Sequence, residues 1–132
     1  MLDASEIRSL ELFDANCRLG PGECTVSAAP VTSFRLVEEM ARVGIQEALV
    51  YHSNAAQYAP NDGNAQLLSE IEGRPLLHGC YVALPHYTGE VNAPAGWVEI
   101  MLSSAIRAVR LMPRSHRGIT NPARKTTRVR MC

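Results

Sequence analysis

Apolar residues along this chain fall into four short runs, at residues 10–17, 48–51, 76–84 and 108–112, separated by stretches of helical period. The runs are of strand length and carry few polar interruptions, the pattern of strands buried on both faces. Between the first two, Thr32 or Ser33 can cap a helix whose inward stripe would be Phe34, Val37, Met40 and Ala41. Gly44 then supplies a left-handed stop, with Ile45 placed for the hydrophobic contact that follows such a cap. Between the second and third runs, Pro60-Asn61-Asp62-Gly63 predicts a turn. Asn61 or Asp62 would cap a second helix facing inward through Leu67, Leu68 and Ile71, closed by Gly73 and Pro75. A third helix is expected from Trp97, Ile100, Met101 and Ile106.

The order is therefore β-α-β-α-β-α-β. Strands joined by helical crossovers run parallel, and consecutive strands are expected to be neighbours in one sheet. The predicted class is α/β.

Composition supports one globular domain. Of 132 residues, 46% are apolar and 20% charged, which argues against a disordered chain. No apolar run reaches the roughly 20 residues of a membrane span. Asp3 and Glu6 occupy the start in place of a basic-then-apolar leader. A soluble, cytoplasmic protein with no membrane partner is the expectation. Four cysteines, Cys17, Cys24, Cys80 and Cys132, form no C-x-x-C pair, so zinc-knuckle and thioredoxin-like chemistry are not indicated. Cys17 and Cys80, inside strand-like runs, read as small reduced hydrophobes rather than nucleophiles.

The zero net charge averages two unlike parts. Residues 1–110 hold all 13 carboxylates against seven arginines, a balance of −6, whereas residues 111–132 hold six basic residues and no acid. The basic stretch has no aromatic interleaving and no recognition fold, so no nucleic-acid partner is expected. Residues 117–132 are expected to be a disordered tail, read as the scar of a truncation, a shifted reading frame or an incomplete gene.

Phe13-Asp14-Ala15-Asn16-Cys17-Arg18-Leu19-Gly20 resembles the opening strand of the amidohydrolase-related family of metal-dependent hydrolases. In that family the strand ends Asp-x-His-x-His-x-Gly. Asp14 and Gly20 stand at the ends of the pattern, while Asn16 and Arg18 occupy the two histidine positions. Residues 36–45 and 47–52 resemble the family's first helix and second strand. Asn61-Asp62-Gly63-Asn64 followed by Leu67-Leu68 resembles the start of its next helix, and residues 106–113 a later strand with alternating arginine. The likeness covers residues 8–116 and rests on the order of these motifs.

The resemblance implies a partial (β/α)8 barrel of about four parallel units in residues 1–116, since the whole barrel takes about 250 residues. It implies hydrolysis of C–N or C–O bonds, or decarboxylation, of a small-molecule substrate at a divalent metal, zinc or manganese. Such a metal polarises the scissile group and acidifies its bound water. Here Asn16 is a weak neutral oxygen ligand, and an arginine such as Arg18 cannot ligate. The chain is accordingly expected to be an inactive fragment when alone.

Alternate residues of a strand share a face, so Asn16 and Arg18 together could hold a carboxylate or phosphate, Arg18 bidentately. The plainer reading is a structural polar cluster. Asp14 reads either as an acid beside a metal or as a partner for an arginine or a backbone N–H. His52, His86 and His116 recur just after strands two, three and four, where strand ends converge. They could join Asn16 and Arg18 as a catalytic set, with a histidine as base and Arg18 orienting an anionic group. Each read singly is a solvated loop histidine. His78, at the opposite end of its strand, is set aside. Trp97 and Tyr81 read as packing. The alternative to an enzyme is a non-catalytic remnant or self-associating module, a homodimer formed through open sheet edges.

Overall fold

A computed structural model of the chain describes residues 1, 3–22, 32–84 and 93–111. Its elements in chain order are α1 (Ala4–Ser9), β1 (Leu12–Leu19), α2 (Ser33–Val43), β2 (Ile45–His52), α3 (Ser53–Gln57), α4 (Pro60–Ile71), β3 (Leu77–Ala83), α5 (Pro94–Ser103) and β4 (Ala108–Leu111). The four strands form one parallel sheet in the order β1-β2-β3-β4, so the α/β class and the neighbour relations expected from sequence are observed. The sheet is curled into a half-barrel. Arg110 of β4 hydrogen-bonds Asn16 of β1 across its concave side, although two strands separate them in the sheet.

The convex side carries the core. Cys17 and Leu19 from β1, Ala48 and Val50 from β2, and Leu77 and Tyr81 from β3 pack with Leu36 and Met40 of α2 and with Leu67 of α4. Ile106, expected in the last helix, instead follows it and packs into this core. It reaches the sheet because Gly79 leaves room: a Cβ there would stand 2.4 Å from the Ile106 Cδ1.

Helix α2 starts as predicted, with the Thr32 hydroxyl accepting from the Arg35 N–H at 3.4 Å. It also stops as predicted, at Gly44 with φ 84°, a conformation in which a side chain is strained. The inward stripe is rotated from the expected one. Ser33, Leu36 and Met40 are buried, while Phe34 is 58% exposed.

The 60–63 segment departs from expectation. It is the first turn of α4, with Pro60 at the helix start and Ala59 as a cap lacking a side-chain hydrogen bond. Proline suits that position because its missing N–H would be unpaired there anyway. Gly63 serves close approach instead of a turn: a Cβ on it would lie 2.0 Å from the backbone N of Ala55 in α3. Helices α1 and α3, of six and five residues, were not expected, being too short to show a period. Asp3 and Glu6 close α1 reciprocally, Asp3 accepting from the Glu6 N–H at 2.8 Å and Glu6 from the Asp3 N–H at 2.7 Å.

Asn64 completes the sheet where β2 leaves it. The last β2–β3 pair is Val50 with Gly79, so the Val82 peptide has a partner strand only on its β4 side. The Asn64 side chain, 4% exposed, donates to the Val82 carbonyl at 3.0 Å and accepts from its N–H at 2.9 Å. A buried amide thus replaces a strand's hydrogen bonds.

Candidate functional site

The concave face carries one set of polar groups near the carboxyl ends of the strands. Arg18, Tyr51 and Arg110 are each the penultimate residue of their strand, and the register sets Arg18 beside Tyr51. The Arg110 guanidinium lies 4.2 Å from the centroid of the Tyr51 ring and donates to the Asn16 side-chain oxygen. A cation over an aromatic face is worth about 0.5–1 kcal/mol at an exposed site, enough to hold Arg110 in place without neutralising it.

β1 is bent to make this arrangement. Its register slips between Asp14 and Cys17: three residues on β1 pass while two pass on β2. The bulge turns Asp14 back on its own backbone, where its carboxylate accepts the Asn16 N–H at 2.8 Å. A backbone N–H is among the partners expected of Asp14. Asn16 is left projecting toward Arg110, as bulges re-aim side chains.

Asp14, Asn16, Arg18, Tyr51 and Arg110 line one open cleft of about 480 Å³ that continues around the free edge of β1 toward Met40 of α2. Among the described residues, neither Arg18 nor Arg110 forms an ion pair. Gly22 lies against the Arg18 guanidinium, where a Cβ would come within 2.5 Å of it. Two guanidinium groups with donors to spare, one steadied by an aromatic ring, form an arrangement suited to a carboxylate or phosphate.

Burial pushes the Cys17 thiol up to about 12, with the adjacent Asp14 carboxylate adding to the effect. Burial also raises Cys80, against the opposing pull of Arg110. Neither is poised as a thiolate nucleophile, in keeping with the structural reading of both.

His52 lies elsewhere. It pairs in register with Leu19 and is 8% exposed. It lines a second cavity, of about 430 Å³, with Gly20, Ser53, Tyr58, Gln66 and Glu70. Its Nδ1 accepts the Asn54 N–H at 3.2 Å, making it the cap of α3 and leaving the ring proton on Nε2. Burial lowers its pKa, with the Glu70 carboxylate acting in the opposite sense. Gly20, with φ 85°, is pressed against it, since a Cβ would stand 2.8 Å from the His52 ring and 2.5 Å from Ser53 Oγ. The convergence of His52 with Asn16 and Arg18 is thus not what the fold produces. His86 and His116 lie outside the described residues, as does the basic tail.

His78 sits at the other end of the concave face, as expected. It makes a 2.5 Å contact with Glu47 and its ring centroid lies 5.9 Å from that of Phe13. Among the described residues, no three histidine, cysteine, aspartate or glutamate side chains gather as a metal-holding group. The donor set at the family's first-strand positions, an amide and a guanidinium, does not fit a divalent ion.

Sequence reasoning did not single out Arg110 or Tyr51. The available signal was the placement of Arg110, the one charge in an otherwise apolar terminal run, at the carboxyl end of a strand. No helix among the described residues is long and apolar enough to cross a membrane. Set against known proteins, the chain matches no protein-family model, no curated protein and no solved structure.

Proposed function

We propose that this chain is an amidohydrolase-like half of a (β/α)8 barrel that binds the anionic group of a small molecule on its concave face and does not itself hydrolyse it. The observation that carries this reading is the pair of guanidinium groups, Arg18 and Arg110, without carboxylate partners among the described residues and set with Asn16 and Tyr51 at the carboxyl ends of parallel strands. Ligands of parallel α/β folds bind at that end. Metal-dependent cleavage of a C–N or C–O bond, or decarboxylation, needs a Lewis acid held by neutral imidazoles and carboxylates. Asn16 and Arg18 replace such donors with groups that hold an anion instead.

Titration calorimetry with inorganic phosphate and with succinate, alongside metal analysis of the dialysed protein, tests the reading. Binding in the micromolar to millimolar range is expected, weakened about tenfold or more in Arg110→Ala or Arg18→Ala. Stoichiometric zinc or manganese in the purified protein, or anion binding indifferent to both substitutions, would overturn it.

A further inference from the structure

We infer that two copies of this chain close on each other, β4 of each pairing in parallel with β1 of the other, to form an eight-stranded cylinder. The two outer strands of the sheet, β1 and β4, each have one side without a strand partner among the described residues. Unpaired edges of this kind are templates for further pairing. Three features select a second copy as the occupant.

The first is the stagger. Leu77, the first residue of β3, is level with Ala48, the fourth of β2; Ala108, the first of β4, is level with Cys80, the fourth of β3. The offset has the same sense at these two of the three junctions, whereas β1 and β2 begin level at Leu12 and Ile45. A sheet closes into a barrel through a net shear of this kind. The second is the curl: β4 already reaches β1 across the concave side through Arg110 and Asn16. Both free edges therefore border the same open side. A copy rotated by a half-turn about the cylinder axis keeps every strand parallel and meets both edges together. The strand total becomes eight, the number at which side chains just fill a barrel interior.

The third is complementarity along the edges. Glu11, just before β1, and Asp14 within it stand on one edge, and Arg107, just before β4, and Arg110 within it on the other, with no ion pair at any of them among the described residues; Arg18 is a cation near the carboxyl end of β1. Phe13, Val109 and Leu111, on the same two strands, are 52%, 44% and 68% exposed, which solvent alone does not favour. A half-turn dimer brings Glu11 and Asp14 of each copy to the edge that carries Arg107 and Arg110 of the other, twice over.

Analytical ultracentrifugation of the full chain decides the matter, with a charge-swap pair on exposed positions. At about 100 µM, a concentration that reveals even a weak dimer, the mass expected is twice 14.4 kDa. Glu11→Lys and Arg107→Glu should each raise the dimer dissociation constant about tenfold while leaving the circular dichroism unchanged, since each sets like charges together at both seams. An equimolar mixture of the two variants should recover dimerisation to within about threefold of the original, because one seam is restored with reversed sign and the other keeps its native pair. A monomer at this concentration, whatever covers its edges, overturns the inference. So do open-ended polymers, or a mixture no better than its components. None of these readouts depends on phosphate or carboxylate binding, so this inference and the proposed function can fail separately.

Discussion

The two faces of the sheet are built from the same strands, yet they differ in what their side chains meet. On the convex side Leu19 and Val50 are wholly buried beneath α2 and α4, as is Leu67 on the inner face of α4 itself. On the concave side Phe13 is half exposed, and the polar groups Asn16, Glu47, His78 and Arg110 interact with one another or with solvent. Strand alternation separates the two populations, since neighbouring residues point to opposite faces, and the bulge in β1 shifts that alternation so that Asn16 joins Phe13 on the concave side. The comparison teaches that the stability of the chain resides on the helix-covered side. The concave side is left free to carry charge.

Paired substitutions test that division most directly. Leu67→Ala should lower the unfolding free energy by about 2–5 kcal/mol, because it empties a fully enclosed site. Phe13→Ala should cost only about 1 kcal/mol despite removing a larger side chain, since half of its surface already meets water. Urea unfolding of both variants measures the contrast, and comparable losses would erase it.

Asn64 sharpens the same contrast at the sheet margin. Replacing it by leucine keeps the branched side-chain skeleton but strands the Val82 N–H and carbonyl on the side β2 has left. A loss of about 2–4 kcal/mol is expected, together with faster hydrogen exchange at the Val82 amide. Stability within about 0.5 kcal/mol of the original would show that this amide contributes little to holding β3.

The smallest effect is expected from pH. His52 has its pKa lowered by burial, so the unfolded chain takes up a proton before the folded one does. Its contribution to stability is therefore complete above its ordinary value of 6.5 and is lost as the pH falls through the depressed value. Glu70, lowered first by the Ser33 backbone N–H, adds a loss of the same sign below its ordinary 4.5. The urea midpoint should thus decline on acidification from pH 7, in two stages. His52→Asn, which retains a capping side chain, should flatten the upper stage and leave the lower one. An unchanged upper stage would assign it to another group.

How much of this was legible beforehand varies by element. Thr32 and Gly44 announced both ends of α2 because caps act through the nearest few residues. Gly63 misled, since a glycine in a turn and a glycine beneath a neighbouring helix look alike in a string of letters. His52, from its position after a strand, was read either as meeting Asn16 and Arg18 or as a solvated loop histidine. Its register with Leu19 turns it to the other side. Arg18 and Asn16 were read as a pair that could hold an anion or as a structural polar cluster. Arg110 joins them from 94 residues away in sequence, and a contact of that span has no local signature.

The order of letters determined the class, the four strands and their parallel sense, because hydrophobic period and crossover geometry are local or nearly so. Which face of each strand is covered, how far the sheet curls, and which charges meet across it were decided by the fold. Those outcomes depend on the bulge in β1 and the stagger between strands, and each is a displacement of one chain segment relative to another. Such displacements are set by packing between segments distant in sequence, which a pattern read along the chain does not contain.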